Sequence, residues 1–445
     1  MVTNEQNNLV SLLKREVLPA LGCTGPTAYA LVTACCRPYM SAPPQRLTME
    51  LSPELFKTGF GVATPGSPEP GIAIAAANGL FGGDWTLGME VLNTATPATN
   101  AQASDFIAAR GLSVLCDWSQ RGIYARAVVT TENETIVSVL EGAYDHILSI
   151  AVNGRTVYSS EALGDTESEK AELDLAMLLS FVKTVNIDTI RFLQDGIDMN
   201  YALAIEGIKA PFGHEVGRAL FRKACADFDE SFYADPASHI PASACEWGKI
   251  LVTAAADARM GGCNMPAMCT MGDGNQGITA INPVIAAAQV WGIDEARTLR
   301  AVALSHLVSI YIKSNIGKTT PFCMCGIGSA SGVAAAISYL RGATNAQIEA
   351  AIINLLSPMM GILCDGAKPG CAFKMCIATE MAFTAAETSL GKVSLGFYDG
   401  MADSTLAKTL EHIKEVVKDS SPALSESLVN VIIKKTEELG TLPVH

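Results

Sequence analysis

The feature that most constrains this chain is a change of residue pattern near residue 165. Between Leu112 and Tyr158, apolar and polar residues alternate as in β-strands, and Asn153–Gly154 is a hairpin signal. After the acidic stretch from Gly164 to Glu172, apolar residues recur at helical spacing to the end of the chain, interrupted by glycines and prolines. The pattern predicts an α+β protein: an N-terminal mixed portion with an antiparallel β-meander, then a mostly helical C-terminal domain.

The acidic stretch also supplies the predicted domain boundary. A chain of 445 residues is long enough for two or three domains. We predict a mixed portion over residues 1–165 and a helical domain over residues 166–445. Within the first portion the spacing predicts an opening helix that ends near Pro19, a strand over Leu47–Leu51 and an alanine-rich helix that begins near Ile72.

Composition excludes several classes of protein. Apolar residues make up 49% of the chain and charged residues 17%, which excludes intrinsic disorder. The 31 basic and 45 acidic residues give a net charge of −14, and this field repels phosphate backbones and anionic lipids. We therefore expect no nucleic-acid partner and no membrane. The uncharged stretch from Thr319 to Leu340 contains proline and several glycines, and we predict a loop followed by a buried helix.

Cysteines supply the first chemical signal. Their number is odd, at 13, the chain is long, and its N-terminus lacks a basic-then-apolar signal pattern. These features predict reduced thiols and a cytoplasmic protein. Cys323 and Cys325 lie in PFCMCGIG, and Cys364, Cys371 and Cys376 lie in LCDGAKPGCAFKMC. The spacing matches neither structural zinc sites nor ferredoxins, so a metal site and inert buried cysteines both stay open.

Other candidate site residues lie at helix starts and in uncharged segments. Cys23, in a Gly-Cys-Thr-Gly-Pro turn, could have a lowered thiol pKa or could be structural. Asn275 and Gln276 in GDGNQG, with Lys313 and Ser314 in IKSN, offer donors to an anionic ligand. The alternatives are a helix N-cap turn for the amides and a surface position for the lysine. His214 and His239 could each be proposed as an acid or base, although no zinc-hydrolase or nucleotide-binding motif occurs.

Five motifs, in order, resemble those of the bacterial and archaeal L-cysteine desulfidases, a family related to the iron–sulfur L-serine dehydratase α chain. The resemblance covers nearly the whole chain. The motifs are EVLPALGCTGPTAYA (16–30), TGFGVATPGSPEPGIAIAAANGLFGG (58–83), MGDGNQGITAINPV (271–284), IKSNIGKTTPFCMCGIGSASGVAAA (312–336) and GILCDGAKPGCAFK (361–374). One departure is Gly25, which stands where the family commonly has glutamate in GCTEP.

The resemblance implies a 4Fe-4S cluster with three cysteine ligands and one open iron. Carried over residue by residue, the ligands are Cys323, Cys364 and Cys371, with Cys325 a close alternative to Cys323 and Cys376 a spare. The implied reaction is α,β-elimination from L-cysteine to pyruvate, ammonia and hydrogen sulfide, without pyridoxal phosphate. Cys23 would be the catalytic base.

In this hypothesis Asn275, Gln276, Lys313 and Ser314 bind the substrate, a small amino acid, and the protein could form a homo-oligomer. Three other functions stay open. The first is a serine dehydratase-type deaminase. The others are a non-catalytic iron–sulfur sensor and a metal-free small-molecule binder.

Overall fold

The protein has an α+β fold, as the sequence predicts. The structure, a computed structural model, describes residues 4–21, 24–64, 67, 69–163, 173–317 and 320–439. Its α-helices in the first half of the chain are α1 Asn4–Glu16, α2 Thr24–Ala34, α3 Pro53–Gly59, α4 Ile72–Gly82, α5 Pro97–Ala108, α6 Leu175–Thr184, α7 Ile187–Ile190, α8 Leu193–Lys209 and α9 Val216–Ala224. The later ones are α10 Ala244–Met260, α11 Gly274–Trp291, α12 Glu295–Ile316, α13 Ala330–Leu340, α14 Asn345–Met359, α15 Cys371–Leu390 and α16 Leu406–Leu439.

Strands and short helical turns complete the described part. The strands are β1 Pro19–Leu21, β2 Arg46–Leu51, β3 Leu112–Cys116, β4 Tyr124–Thr130, β5 Thr135–Glu141, β6 Ile147–Val152, β7 Arg155–Ser159 and β8 Pro266–Met268. The 3₁₀ turns are Arg37–Tyr39, Trp85–Thr94, Glu230–Ala234 and Pro236–Ser238. A π-helical turn spans Cys325–Ser329.

A six-stranded sheet forms the centre of the N-terminal portion, in the order β3-β2-β4-β5-β6-β7. Strands β4 to β7 form the predicted antiparallel meander, in which Asn153 and Gly154 make the last turn with positive φ angles. The pattern of β3 also suggested that meander, but β3 instead pairs in parallel with β2. Parallel strands need a long crossover, and helices α3, α4 and α5 supply it.

One face of this sheet is covered by helices and the other is partly exposed. Along β4 and β5, buried residues alternate with half-buried ones, which is the period expected for a sheet with a single covered face. Buried residues of α2 and α4 share a hydrophobic core with the strands, and α4 begins at Ile72, as predicted. The predicted strand over Leu47–Leu51 is β2.

The helical domain is built around helices that are buried on nearly every side. In α11, all residues from Gly274 to Ala288 are buried, and in α13 all residues except Tyr339 are buried. Much of this surface is alanine, glycine and serine, so the helix axes can approach closely. The stretch predicted as a loop and a buried helix ends in the π-helical turn and α13, in agreement with the prediction from Thr320 onward.

Each end of the described chain packs against the half to which it does not belong in sequence. Leu9 and Leu13 of α1, with Val17 directly after the helix, belong to the core of the helical domain, and β1 pairs antiparallel with β8 beside that core. Val429 and Ile432 of α16 instead join the core of the sheet. The two halves are therefore held together at both ends of the described chain. Among the described helices, none combines the length and apolar character needed to cross a lipid bilayer.

Candidate functional site

A cavity lies between the two halves, and both contribute residues to its wall. From the mixed portion come Thr24, Glu54, Leu55, Lys57, Thr58, Gly122, Ile123 and Tyr144. From the helical domain come Arg259, Asp273, Asn275, Gln276, Thr320, Phe322, Cys323, Met324, Cys325, Cys364, Gly366, Ala367, Cys371 and Lys374. Four cysteines, from two segments that are about 40 residues apart in the sequence, therefore share this cavity with two amides and three cationic side chains.

Backbone hydrogen bonds hold the two cysteine segments side by side. The amide of Cys323 donates to the carbonyl of Ile362 at 2.8 Å, and the amide of Cys364 donates to the carbonyl of Pro321 at 2.6 Å. Phe322 and Leu363 form an antiparallel bridge between these bonds. The pairing fixes Cys323 and Cys364 as neighbours, while Cys371 begins α15 only a short loop later.

The thiols of the cavity differ in their acidity. A hydrogen bond from the Cys325 thiol, helped by the Gly326 amide and the Lys374 charge, lowers the pKa of Cys323 to about 7. The same hydrogen bond, together with burial, raises the pKa of Cys325. Burial, with the nearby Cys323 and Cys364, raises the pKa of Cys371 to about 12. Closely placed thiolates repel one another, so a cationic group bound between them would be stabilised.

Two lysines tie the second cysteine segment together through one carboxylate. Lys368 pairs with Asp365 at 2.7 Å, and Lys374 pairs with the other oxygen of the same carboxylate. Lys374 also donates to the carbonyl of Leu363 at 2.7 Å. Although burial alone would raise it, the hydrogen bonds from both lysines lower the pKa of Asp365 to about 2. The loop between Cys364 and Cys371 is thus held in a fixed shape.

The GDGNQG motif forms the N-terminus of α11 at the cavity wall. Asp273 caps the helix, because its Oδ1 accepts from the amides of Asn275 and Gln276 at 2.9 and 3.4 Å. Its Oδ2 accepts from the Gln276 side chain at 3.0 Å and lies 4.0 Å from the Cys325 sulfur. The motif is therefore an N-cap turn, one of the two alternatives left open by the sequence, and it also forms part of the cavity wall.

Helix α3 docks onto the cysteine segments through a buried lysine. The Nζ atom of Lys57 donates to the carbonyls of Thr320 and Cys364 at 3.2 and 3.1 Å, and Lys57 is 4% exposed. Gly366, with φ of +99°, lies so close that a Cβ atom would stand 1.9 Å from the Lys57 carbonyl oxygen. Only glycine satisfies both the positive φ and this approach. The mixed portion is thereby attached directly to the segment that carries Cys364.

The predicted site residues fall into three groups. The structure brings Cys323, Cys364 and Cys371 to the cavity, together with Asn275 and Gln276, and the alternative ligand Cys325 lies there as well. Cys376, the predicted spare, lies further along α15 and outside the lining.

Two other predicted residues do not line the cavity, and a third lies outside the described residues. Lys313 is buried and donates to the carbonyl of Met271 at 3.0 Å, just before the GDGNQG motif, so it is not a surface lysine. Ser314 is half-buried beside it and does not line the cavity either. Cys23 lies outside the described residues, although Thr24, the next residue, lines the cavity.

The two histidines that were candidate acids or bases lie elsewhere. The backbone of His214 donates to Asp257 at the start of α9, and the ring of His239 stacks on Phe232 at 3.7 Å. Neither lines the cavity.

The space beside Gly25 is filled by a cavity residue. A Cβ atom at Gly25 would stand 2.8 Å from the methyl group of Thr58 and 3.2 Å from the hydroxyl of Tyr29. A glutamate, which the resembling family commonly has at this place, would therefore need Thr58 to move. Gly25, which replaces the glutamate of GCTEP, therefore packs against Thr58 of α3.

Sequence reasoning missed the charged residues Arg259, Asp273, Lys57, Lys374 and Glu54 in the lining. One signal for Arg259 was available. In α10 the segment from Ile250 to Met260 is uncharged and rich in alanine except for Asp257 and Arg259, and both of these charged residues are buried. Charged residues are seldom fully buried unless they have partners or a function.

Comparison of the sequence with known proteins places the chain in a family. Residues 86–430 match the family model of the serine dehydratase alpha chain. The chain belongs to the serine dehydratase alpha chain family. That stretch includes the four cavity cysteines and the GDGNQG motif, whereas α2 and α3 precede it.

Whole-length relatives of this member of the family carry the name UPF0597 protein. The one from Nitratidesulfovibrio vulgaris is 34% identical and covers 96% of this chain and 99% of its own length. The one from Desulfatibacillum aliphaticivorans is 32% identical, covering 95% and 97%. The one from Bacteroides thetaiotaomicron is 29% identical, covering 98% and 99%. The mixed portion is thus shared with these relatives.

Proposed function

We propose that this protein is an iron–sulfur-dependent lyase that catalyses α,β-elimination from L-cysteine, yielding pyruvate, ammonia and hydrogen sulfide. L-Serine, with hydroxide as the leaving group, is the alternative substrate within the same reaction class. The observation that carries the proposal is the meeting of Cys323, Cys364 and Cys371 in one cavity of a serine dehydratase alpha chain family member.

The donor set of the cavity suits an iron–sulfur cluster. Its cysteines are free thiols, and soft thiolates favour iron–sulfur clusters over magnesium or calcium. Among the residues that the structure describes, no three His, Cys, Asp or Glu side chains are arranged to hold a single metal ion. Cys323, Cys364 and Cys371 would hold the cluster. When bound, such a cluster supplies a Lewis-acidic iron for the β-substituent of the substrate.

The chain itself would bind the amino acid, exclude water and remove a proton. Asn275 and Gln276 would donate to the substrate from the start of α11, where the helix dipole favours an anion. Leu55, Ile123 and Phe322 form apolar parts of the wall. A wall of this kind lowers the local dielectric constant and strengthens each polar contact with the substrate.

Proton removal is assigned to Cys23. The observation that supports this assignment is that Thr24, the next residue in the sequence, lines the cavity as the first residue of α2. A thiol next to a helix start can have a lowered pKa. The base takes the Cα proton, the electron pair forms the Cα–Cβ double bond, and the Cβ–S bond breaks to release sulfide. The resulting enamine tautomerises and is hydrolysed to pyruvate and ammonia.

The decisive test is an assay of protein reconstituted with iron and sulfide under anaerobic conditions. L-Cysteine and L-serine are supplied separately, and pyruvate, ammonia and sulfide are each measured. We expect equal amounts of pyruvate and ammonia, with sulfide from L-cysteine. If neither substrate yields pyruvate while the protein carries a full complement of iron, the lyase proposal is wrong.

A second candidate function follows from the position of Cys325. Because this thiol also lines the cavity, it could complete a four-thiolate shell, as in an iron–sulfur sensor without turnover. The Cys325→Ser variant separates the two candidates. A lyase with three ligands keeps its iron and its activity in this variant, whereas a sensor with four ligands loses cluster stability.

We also propose a cytoplasmic location and a homo-oligomeric assembly. The described cysteines are free thiols, including the partly exposed Cys225, Cys245 and Cys376, which suits a reducing compartment. Size-exclusion chromatography with light scattering tests the assembly. A monomer at the working concentration would contradict it.

A further inference from the structure

Arg259 is a buried charge in the wall of the cavity. It lies in the last turn of α10 and is 2% exposed. Burying a guanidinium is costly unless its donors face acceptors or an anionic ligand. The cavity that it lines also holds the cysteine thiols and the start of α11. This position gives the arginine access to whatever small molecule the cavity takes.

Two contacts fix the guanidinium against the N-terminus of α11. Its Nη1 donates to Oδ1 of Asn275 at 3.0 Å. A Cβ atom on Gly274 would stand 2.5 Å from Nε and 2.6 Å from Cζ, so the absence of a side chain at Gly274 lets the guanidinium approach the helix backbone. Because Oδ1 of Asn275 faces Arg259, the amide group of the same side chain is directed away from it. The guanidinium and the side-chain amide of Asn275 thus lie next to each other in the cavity wall, at a helix start that Asp273 caps.

The two lysines that line the cavity bind groups of the protein itself. Lys57 donates to two backbone carbonyls, and Lys374 pairs with Asp365 and a carbonyl. Both lysines thereby stabilise loops of the protein. Arg259 contacts the side chain of Asn275 in the cavity wall, and the planar fork of a guanidinium matches the two oxygens of a carboxylate.

We propose that Arg259, oriented by Asn275 and Gly274, binds the α-carboxylate of the amino-acid substrate. The proposal rests on the proposed function in that it uses the same cavity. It defines the substrate class as free α-amino acids with an unmodified carboxylate. Amides, esters and residues inside a peptide lack the charge that the guanidinium would bind.

The test is calorimetric titration of the reconstituted holoenzyme with L-alanine and with L-alaninamide. L-Alanine has no β-leaving group and cannot be consumed by elimination, so binding is measured without turnover. We expect the wild type to bind L-alanine about 10- to 100-fold more tightly than the amide. In Arg259→Gln this preference falls to about 1, through loss of L-alanine affinity, while the affinity for the amide stays within about twofold.

Two further variants make the result specific. Arg259→Lys keeps the charge but loses the fork, and we expect it to retain only about a tenth of the wild-type preference. Arg300→Gln is the matched control, because Arg300 donates to the Val182 carbonyl in a part of α12 away from the cavity. This control should keep the wild-type preference. Iron content and far-ultraviolet circular dichroism are recorded for each variant.

The proposal is overturned if the wild type shows no preference for L-alanine, or if Arg259→Gln keeps it. Should Arg259→Gln fail to fold, wild-type affinities in Arg259→Lys would overturn it equally. The lyase assay reports separately on the proposed function. An Arg259-dependent preference without pyruvate production supports the carboxylate site and contradicts the lyase.

Discussion

In the sheet, buried and half-buried residues alternate along each strand, whereas α11 and α13 in the helical domain are buried on nearly every side. The sheet therefore has one core face, filled by the apolar residues of its strands and covering helices. The helical domain has little free surface around its central helices, and buried polar residues such as Asn282 and Ser305 lie along them. The thiols and amides of the cavity lie at helix starts, in the π-helical turn and in loops of this half.

The mixed portion contributes a wall and a clamp. Its Lys57 reaches across to the carbonyl of Cys364, and its Thr58 fills the space beside Gly25. The cysteines that the structure describes in this half, Cys35, Cys36 and Cys116, are buried away from the cavity. Buried cysteines therefore occur in both halves. The candidate ligands differ from the others because they line the cavity.

The largest expected effect is loss of iron on removing a candidate ligand. Cys323→Ser, Cys364→Ser and Cys371→Ser should each lose most of the cluster iron after anaerobic reconstitution and more than about 100-fold in lyase rate, since each thiolate would be a direct ligand under the proposed function. Iron analysis and the pyruvate assay measure both.

The matched control is Cys116→Ser in β3, which replaces a buried thiol of the sheet. It should keep full iron content. If Cys116→Ser loses as much iron as the three cavity variants, the iron loss in those variants does not identify them as ligands.

The next effect concerns packing at the start of α11. A Cβ atom on Gly277 would stand 1.9 Å from the Met268 carbonyl oxygen, a backbone atom that cannot easily move. Gly277→Ala should therefore destabilise the protein by about 3 kcal/mol or more. Urea unfolding followed by circular dichroism gives the value.

Gly154→Ala is the counterpart in the sheet. Gly154 has open space around it, and only its φ of +80° resists a side chain. The expected cost is about 1 kcal/mol. If both variants lose the same free energy of unfolding, close helix packing does not make the helical domain more sensitive than the sheet.

A smaller effect is expected for the clamp between the halves. Lys57→Met keeps the length of the side chain but leaves the buried carbonyls of Thr320 and Cys364 without this donor. We expect a loss of about 2 kcal/mol in the free energy of unfolding and weaker cluster retention. The exposed Lys209→Met is the control and should change neither quantity. A Lys57→Met protein as stable as the control would mean that α3 docks without the lysine.

The smallest effect is a pH dependence in the helical domain. Burial raises the pKa of Asp257 to about 6, against hydrogen bonds from the amides of Gly217, His214 and Val216. The folded protein therefore binds this proton more tightly than the unfolded chain does. Its contribution to stability is complete below about pH 4 and is lost as the pH rises through 6, by roughly 1 to 2 kcal/mol.

Asp257→Asn should remove this part of the pH dependence of unfolding between pH 4 and 7. Asp419→Asn, at an exposed position of α16, should leave it unchanged. A wild-type stability that rises over this range, and does so equally in Asp257→Asn, would contradict the assignment.

The α+β class and most of the cavity were accessible from the sequence because they depend on local patterns. Alternation identified β4 to β7. The position of the cysteines in glycine- and proline-containing loops left a metal site open, and the family resemblance then singled out Cys323, Cys364 and Cys371. The parallel pairing of β3 with β2 was not accessible, since alternation along a strand is the same for either partner direction. Lys57 was missed because a buried lysine in a mixed segment has the same local signature as an exposed one, whereas Arg259 was missed although the alanine-rich segment around it offered a signal.

The sequence by itself determined the fold class, the family motifs and the residue types available for binding iron and an amino acid. These are properties of short segments, where side-chain period and turn chemistry act locally. The tertiary structure decided which of those residues share a cavity, how Thr58 fills the space at Gly25, and that Arg259 faces Asn275. Such contacts join residues far apart along the chain, and only the packing of the two halves brings them together.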